Sequence, residues 1–151
     1  MLQFLLKNFD ELSTTELYTI LQLRSEVFVV EQDCVYQDLD GKDFLALHLM
    51  GINDGNIVAY TRIFKEGDYF PDAGSIGRVL VKASERKYGY GVEMVRESLT
   101  ILDKNLKVSK THISAQRYLE KFYASLGFEI VGEPYLEDGI PHIGMVRLGQ
   151  S

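Results

Sequence analysis

The sequence predicts a mixed α/β fold in which antiparallel hairpins stand beside at least one strand–helix–strand crossover. Three observations predict it. Apolar segments alternate between strand-like and helix-like spacing, in the order β-α-β-β-β-α-β-α-β-β over 151 residues. Asp54-Gly55 lies between two apolar runs and is a strong hairpin signal. In RKYGYG (Arg86 to Gly91) two glycines fall where a strand hands over to a helix. The length suits one domain, expected over residues 1–151.

The elements follow in order. Leu2 to Phe9 predicts a first strand. Ser13 and Glu16 have capping-box spacing, and Leu17, Ile20, Leu21, Arg24, Val27 and Phe28 continue at helical intervals, so residues 14–29 predict an amphipathic helix. Glu31 to Asp43 is polar and irregular. Phe44 to Ile52 and Ile57 to Phe64 predict a hairpin around Asp54-Gly55, and Ser75 to Ala83 a further strand. Val92, Val95, Leu99 and Leu102 predict a helix over about 90–104 that buries one face. Thr111 to Ala115 predicts a short strand and Gln116 to Phe128 a helix ended by Gly127. Phe128 to Glu133 and Pro141 to Leu148 predict two last strands.

Composition excludes several classes. Apolar residues make up 46% and charged residues 25%, an ordinary globular balance. The net charge of −6 opposes general nucleic-acid binding, which needs a basic surface. The single cysteine, Cys34, cannot form an internal disulfide and fits a reducing compartment. The N-terminus lacks the features of a signal peptide, and the longest apolar stretch, Phe44 to Ile52, is too short to span a bilayer. A cytoplasmic protein without a membrane partner is expected. No metal is expected either. Asp38 to Asp43 misplaces the calcium-loop glycine, and His48, His112 and His142 lack local zinc pairing.

Glycine inside regular structure costs stability unless the backbone needs it. A turn whose N–H groups point one way makes an anion pocket, and the helix that follows adds its positive end. RKYGYG therefore suits a pyrophosphate, with Arg86 and Lys87 adding charge; a glycine-softened loop is the alternative. The pattern is R-x-x-G-x-G. It is neither the dinucleotide fingerprint nor the Walker loop.

R-x-x-G-x-G after an apolar strand resembles the acetyl-CoA signature of the GNAT acetyltransferases. FYASLGFE (Phe122 to Glu129) resembles the family's later F-Y-x-x-x-G-F segment. LRSEVFVVEQDCVYQDLDGKD, AYTRIF, GRVLV, SAQRYLEKFY and EDGIPHIGM extend the likeness from about Leu23 to Met145, and together look like the ElaA-type branch of that superfamily.

The resemblance implies a GNAT fold: a central, mostly antiparallel sheet with splayed fourth and fifth strands and helices on both faces. It implies acetyl-CoA as donor substrate and a primary amine, of a small molecule by preference, as acceptor. Carried over, the pyrophosphate falls on the turn formed by Arg86, Lys87, Tyr88, Gly89, Tyr90, Gly91 and Val92. The pantetheine arm falls on the backbone of Val79, Leu80 and Val81, where an N–H also polarises the thioester carbonyl. Tyr123 matches the tyrosine that protonates the departing thiolate; an aromatic core residue is the alternative. Gln116 stands where many members have asparagine, a departure that puts a longer amide against the pantetheine. A homodimer through the last strands would also fit the family.

The amine base stays open among Glu31, His48 and His142. An alkylammonium of pKa about 10.4 is only about one part in a thousand neutral at pH 7, so something must take its proton. Arg24, Arg62 and Arg78 interrupt apolar runs and need partners. Arg24, His48 and Arg62 are candidates for the acceptor side; a structural ion-pair network with the nearby acidic residues is the alternative. Two other functions compete. LRSEVF followed by Asp38, Asp40 and Asp43 is similar to acyl-homoserine-lactone synthases, although the glycine turn is not theirs. A non-catalytic CoA-binding module would keep the pocket and lose the chemistry.

Overall fold

The computed structural model describes residues 1–150. Strands β1 (Gln3–Asn8), β2 (Leu47–Asn53), β3 (Asn56–Phe64) and β4 (Ser75–Val81) form an antiparallel sheet in that order. Strands β5 (Lys110–Gln116), β6 (Glu129–Glu137) and β7 (Ile140–Leu148) form a second sheet in the order β5-β7-β6. The helices are α1 (Thr14–Arg24), α2 (Tyr90–Thr100) and the short α3 (Glu120–Ala124). The expected splay between the fourth and fifth strands is the break between the two sheets.

Period-two alternation decides which helix covers which face. Met50, Tyr60 and Leu80 point to one face of the first sheet and pack with Ile20, Leu23 and Val27 below α1. Their neighbours Leu49 and Ala59 point to the other face and join Met94, Val95 and Leu99 of α2. Helices thus lie on both faces, as expected.

Local chemistry sets the boundaries. Ser13 Oγ accepts from the Glu16 N–H at 3.0 Å and Glu16 accepts from the Ser13 N–H at 2.8 Å, a closed capping box worth about 1 kcal/mol. Helix α1 then widens into a π-helical segment, Ser25–Glu31, so the helical run ends two residues past the expected 29. Helix α2 continues likewise through Ile101–Asn105. The β2–β3 hairpin turns on Asp54 (φ 51°) and Gly55 (φ 78°), the paired positive φ of a two-residue turn matched to strand twist.

Several elements differ from expectation in their bounds, and β2 starts at Leu47 where Phe44 was expected. The helix predicted over Gln116 to Phe128 is shorter, because Gln116 pairs with His142 of β7 and belongs to β5. A 3-10 turn, Arg117–Leu119, leads into α3, and the Gly127 N–H donates to the Ala124 carbonyl at φ 98° to close it. Strand β6 is longer than expected. It reaches Glu137 through a bulge between Val131 and Tyr135, before the two-residue turn Asp138-Gly139. Among the described residues no helix is long and apolar enough to cross a membrane.

Candidate active site

Strands β4 and β5 touch at one point and then part. The Gly74 N–H donates to the Lys110 carbonyl and the His112 N–H to the Gly74 carbonyl, each at 2.9 Å. A Cβ on Gly74 would fall 2.9 Å from Leu102 and 3.1 Å from Val108, so glycine permits this close join. Beyond it, Ser75 to Val81 and Ile113 to Gln116 become the walls of a cleft of about 510 Å³.

The β4 wall carries a bulge. Tyr60 pairs with Leu80 and Arg62 with Gly77, so Thr61 alone faces both Arg78 and Val79. Arg78 takes φ 50° to accommodate the extra residue. Because β5 has left, the outer backbone edge of Val79, Leu80 and Val81 has no strand partner and borders the cleft. An extended chain of amides and carbonyls, such as a pantetheine arm, fits this edge by strand-like hydrogen bonding. The Leu80 side chain faces away into the α1 core.

The glycine turn lies past the end of β4. Ala83–Tyr88 forms a 3-10 helix, Gly89 turns at φ 76°, and α2 begins at Tyr90. The Glu93 N–H makes the first helical bond, to the Gly89 carbonyl at 3.4 Å, so the amides of Tyr90, Gly91 and Val92 precede it at the positive helix end. Arg86 and Gly91 line the cleft. The Tyr90 side chain is buried in the core, so this residue offers only backbone. Lys87 lies over the Tyr88 ring, 5.3 Å from its centroid.

Arg86 and Glu31 are joined. The Arg86 Nη2 donates to Glu31 Oε1 at 2.9 Å, Nη1 takes Oε2, and Nε donates to the Val81 carbonyl at 2.9 Å. Glu31, a candidate base, therefore spends both carboxylate oxygens on the turn's own arginine, at the turn end of the cleft.

Tyr123 lines the cleft from α3, packed edge-on against Phe122 and Phe128. Burial pushes its phenol up to about 12, which keeps the proton in place as a donor needs. Gln116 reaches the same space from the end of β5.

The opposite end is built by β5, β6 and β7. His142 is 6% exposed, and its Nδ1 lies 2.7 Å from the Ile140 carbonyl. A carbonyl only accepts, so Nδ1 carries a hydrogen and Nε2 is the ring nitrogen left to exchange a proton. That Nε2 is 3.5 Å from Glu137 Oε2, while Ser114 Oγ donates to Glu137 Oε1 at 3.2 Å. Ser114 also hydrogen-bonds the Tyr135 hydroxyl, and the Tyr135 ring stacks on His142. Tyr36, Phe64 and Tyr69 complete this end.

The arginines that interrupt apolar runs are bound to aspartates. Arg24 Nε donates to Asp38 at 2.9 Å and Nη1 to Asp43 at 2.7 Å. Arg62 holds Asp40 at 2.8 Å and Asp43 at 3.0 Å, and Arg78 holds Asp38 at 2.7 Å. This network pins the irregular segment from Tyr36 to Asp43 against the sheet.

Three expectations for the acceptor side are corrected by it. Arg24 is fully enclosed and does not border the cleft. Arg62 borders the cleft, but both terminal nitrogens are held by aspartates. His48 is 1% exposed, with one ring nitrogen 2.6 Å from the Tyr60 hydroxyl and the other 2.9 Å from the Asp43 carbonyl. Burial also lowers its pKa. These groups hold the fold and are closed to an acceptor.

Sequence reasoning missed Ser114, Tyr135, Glu137 and Asp138. Ser114, Tyr135 and Glu137 converge on His142 only through the register of three strands, Ser114 with Gly144 and Tyr135 with His142, and Asp138 lines the cleft from the turn that follows. The one available signal was Asp138-Gly139, a hairpin dipeptide that brings Glu137 next to Ile140.

Comparison with known proteins agrees with this architecture. Residues 12–148 match the family model of the acetyltransferase (GNAT) domain. Protein ElaA of Escherichia coli is 43% identical over 140 residues, 91% of this chain and 91% of that protein. Its crystal structure superposes with a TM-score of 0.89 at 40% identity, over 97% of this chain and 99% of that chain. The crystal structure of an acyl-CoA N-acyltransferase from Pseudomonas aeruginosa superposes with a TM-score of 0.91 at 40% identity, again over 97% and 99%. The acyl-homoserine-lactone synthase LasI shares the fold alone, at 13% identity and a TM-score of 0.77 over 97% of this chain and 89% of that chain. The chain belongs to the GNAT acetyltransferase family, whose members use acyl-CoA donors.

Proposed function

We propose that the protein is an N-acetyltransferase that moves the acetyl group of acetyl-CoA to the primary amine of a small acceptor. The observation that carries this reading is the free backbone edge of β4 in a cleft that Tyr123 also lines. The edge seats the pantetheine arm, and the amides at the start of α2 take the pyrophosphate. The amine enters from the His142 end.

The chemistry balances on groups in the cleft. The amine nitrogen attacks the thioester carbonyl carbon; a C–N bond forms and the C–S bond breaks. An N–H of the β4 edge stabilises charge on the carbonyl oxygen. His142 Nε2 takes the amine proton directly or through water. The Tyr123 phenol protonates the departing thiolate. Glu31 is not assigned the base role, because Arg86 occupies it.

The synthase-like alternative loses its motif. Asp38, Asp40 and Asp43 are spent on arginines and are not free for a second substrate. Calorimetric titration with acetyl-CoA, desulfo-CoA and S-adenosylmethionine tests the reading. Micromolar binding of acetyl-CoA, with thiol release on adding amines, is expected. Binding of S-adenosylmethionine in place of acetyl-CoA would sink it.

A further inference from the structure

The charges that line the cleft do not cancel at the acceptor end. Arg62 and Arg78 are matched within the network, where Arg24, Arg62 and Arg78 face Asp38, Asp40 and Asp43. Arg86 is matched by Glu31. Glu137 and Asp138 also line the cleft, and among the described residues no lysine or arginine pairs with either. Glu137 has only the Ser114 hydroxyl and the His142 ring, and its side chain is 44% exposed, so it stays open to a ligand.

The surroundings of these carboxylates are aromatic. Tyr36 and Tyr69 line the same cleft, with Arg78 over the Tyr36 ring and Lys42 over the Tyr69 ring. The Tyr69 phenol is raised by burial and then by the charge of Glu137. Tyr36 is pushed up to about 12, chiefly by burial, then by Asp38, with Asp138 adding least. A carboxylate pair in the wall of a cleft receives an alkylammonium by ion pairing. The same pair repels a carboxylate on the acceptor.

Resting on the small-amine reading above, we infer that the acceptor carries a second positive charge, held by Glu137 and Asp138 in the wall of the cleft, and no carboxylate. The substrate class is therefore a diamine or polyamine rather than an amino acid.

Three acceptors of equal chain length test this: a terminal diaminobutane, n-butylamine and γ-aminobutyrate, each assayed by thiol release from acetyl-CoA. The diamine should give the highest kcat/KM, by about fivefold over the monoamine, with the aminocarboxylate lowest. Glu137→Gln and Asp138→Asn should each compress the diamine-to-monoamine ratio, chiefly through the diamine KM. Equal kcat/KM for the three amines, or an unchanged ratio in both variants, overturns this inference and leaves the acetyltransferase reading standing. Release from none of them, with acetyl-CoA bound, overturns the small-amine reading and this inference together.

Discussion

Arg86, the first residue of the glycine turn, is clamped by Glu31 from the end of the first helical segment, with both guanidinium terminal nitrogens on both carboxylate oxygens. A pyrophosphate approaching the turn meets an arginine already neutralised by its own protein. Both side chains are 41% exposed, so water screens the pair and an anion of higher charge can compete for it.

Glu31→Gln should therefore tighten acetyl-CoA binding by about threefold, the scale of an exposed ion pair. Arg86→Ala should weaken it. Calorimetry at low and high salt checks both, and the difference between the parent and Glu31→Gln should shrink as salt rises. Weaker binding by Glu31→Gln would mean that Glu31 orients Arg86 for the ligand instead of competing with it.

The two glycines of the turn should separate into different roles. At Gly89 an added Cβ meets nothing within 4 Å, but φ is 76°, so Gly89→Ala costs about 1 kcal/mol through backbone strain alone. It should lower Tm. At Gly91 the helical backbone accepts any residue, and a Cβ would lie 3.9 Å from Val81 at the edge of the cleft. Gly91→Ala should leave Tm unchanged or slightly raised and weaken acetyl-CoA binding. Thermal unfolding and titration of both variants check this split.

Tyr123→Phe should lower kcat about a hundredfold and leave acetyl-CoA affinity largely intact. Because burial holds the phenol at about 12, it stays protonated across the working range, and no loss of activity below about pH 10 should trace to it. Pre-steady-state release of thiol against pH is the measurement. Full turnover in the variant would remove Tyr123 from the mechanism.

The aspartate network should make the protein acid-sensitive within a defined window. Burial raises the Asp40 carboxyl, but the hydrogen bond from Arg62, the Lys42 amide and the charges of Arg62 and Arg78 outweigh it and bring it to about 2. At Asp43 burial is likewise outweighed, by Arg24 and Arg62, and its carboxyl is lowered. Their folded pKa values lie below the unfolded value of about 3.9, so the stability they contribute is complete above about pH 4 and is lost as pH falls toward about 2. Arg24→Ala removes one of two arginine partners from each of Asp38 and Asp43, which keep Arg78 and Arg62, and should cost about 3 kcal/mol. Urea unfolding across that pH range reads both effects.

Residues close in sequence carried the readings that held. Ser13 and Glu16 mark the start of α1 because a capping box closes within one turn. Asp54-Gly55 and Gly89 mark turns because positive φ is a property of single residues. Helices on both faces came from the family resemblance, and the alternation through Leu49-Met50 and Ala59-Tyr60 carries it out, since period two puts neighbours on opposite sides. Such signals need no knowledge of distant partners.

Partnership across the chain was the part that pattern alone could not supply. Arg24, His48 and Arg62 look like ligand-binding residues as a string. Folding brings Asp38, Asp40, Asp43 and Tyr60 against them and occupies both ring nitrogens of His48 and the terminal nitrogens of Arg62. Gln116 has a helical neighbourhood in sequence but is claimed by the register with His142. Glu137 looks like a turn acid until β5, β6 and β7 align it with Ser114 and His142. Burial and ion pairing depend on contacts between residues 14 to 40 positions apart, such as Arg24 with Asp38 and Arg78 with Asp38. The energy of those contacts is set by the packed arrangement, which no local window of sequence contains.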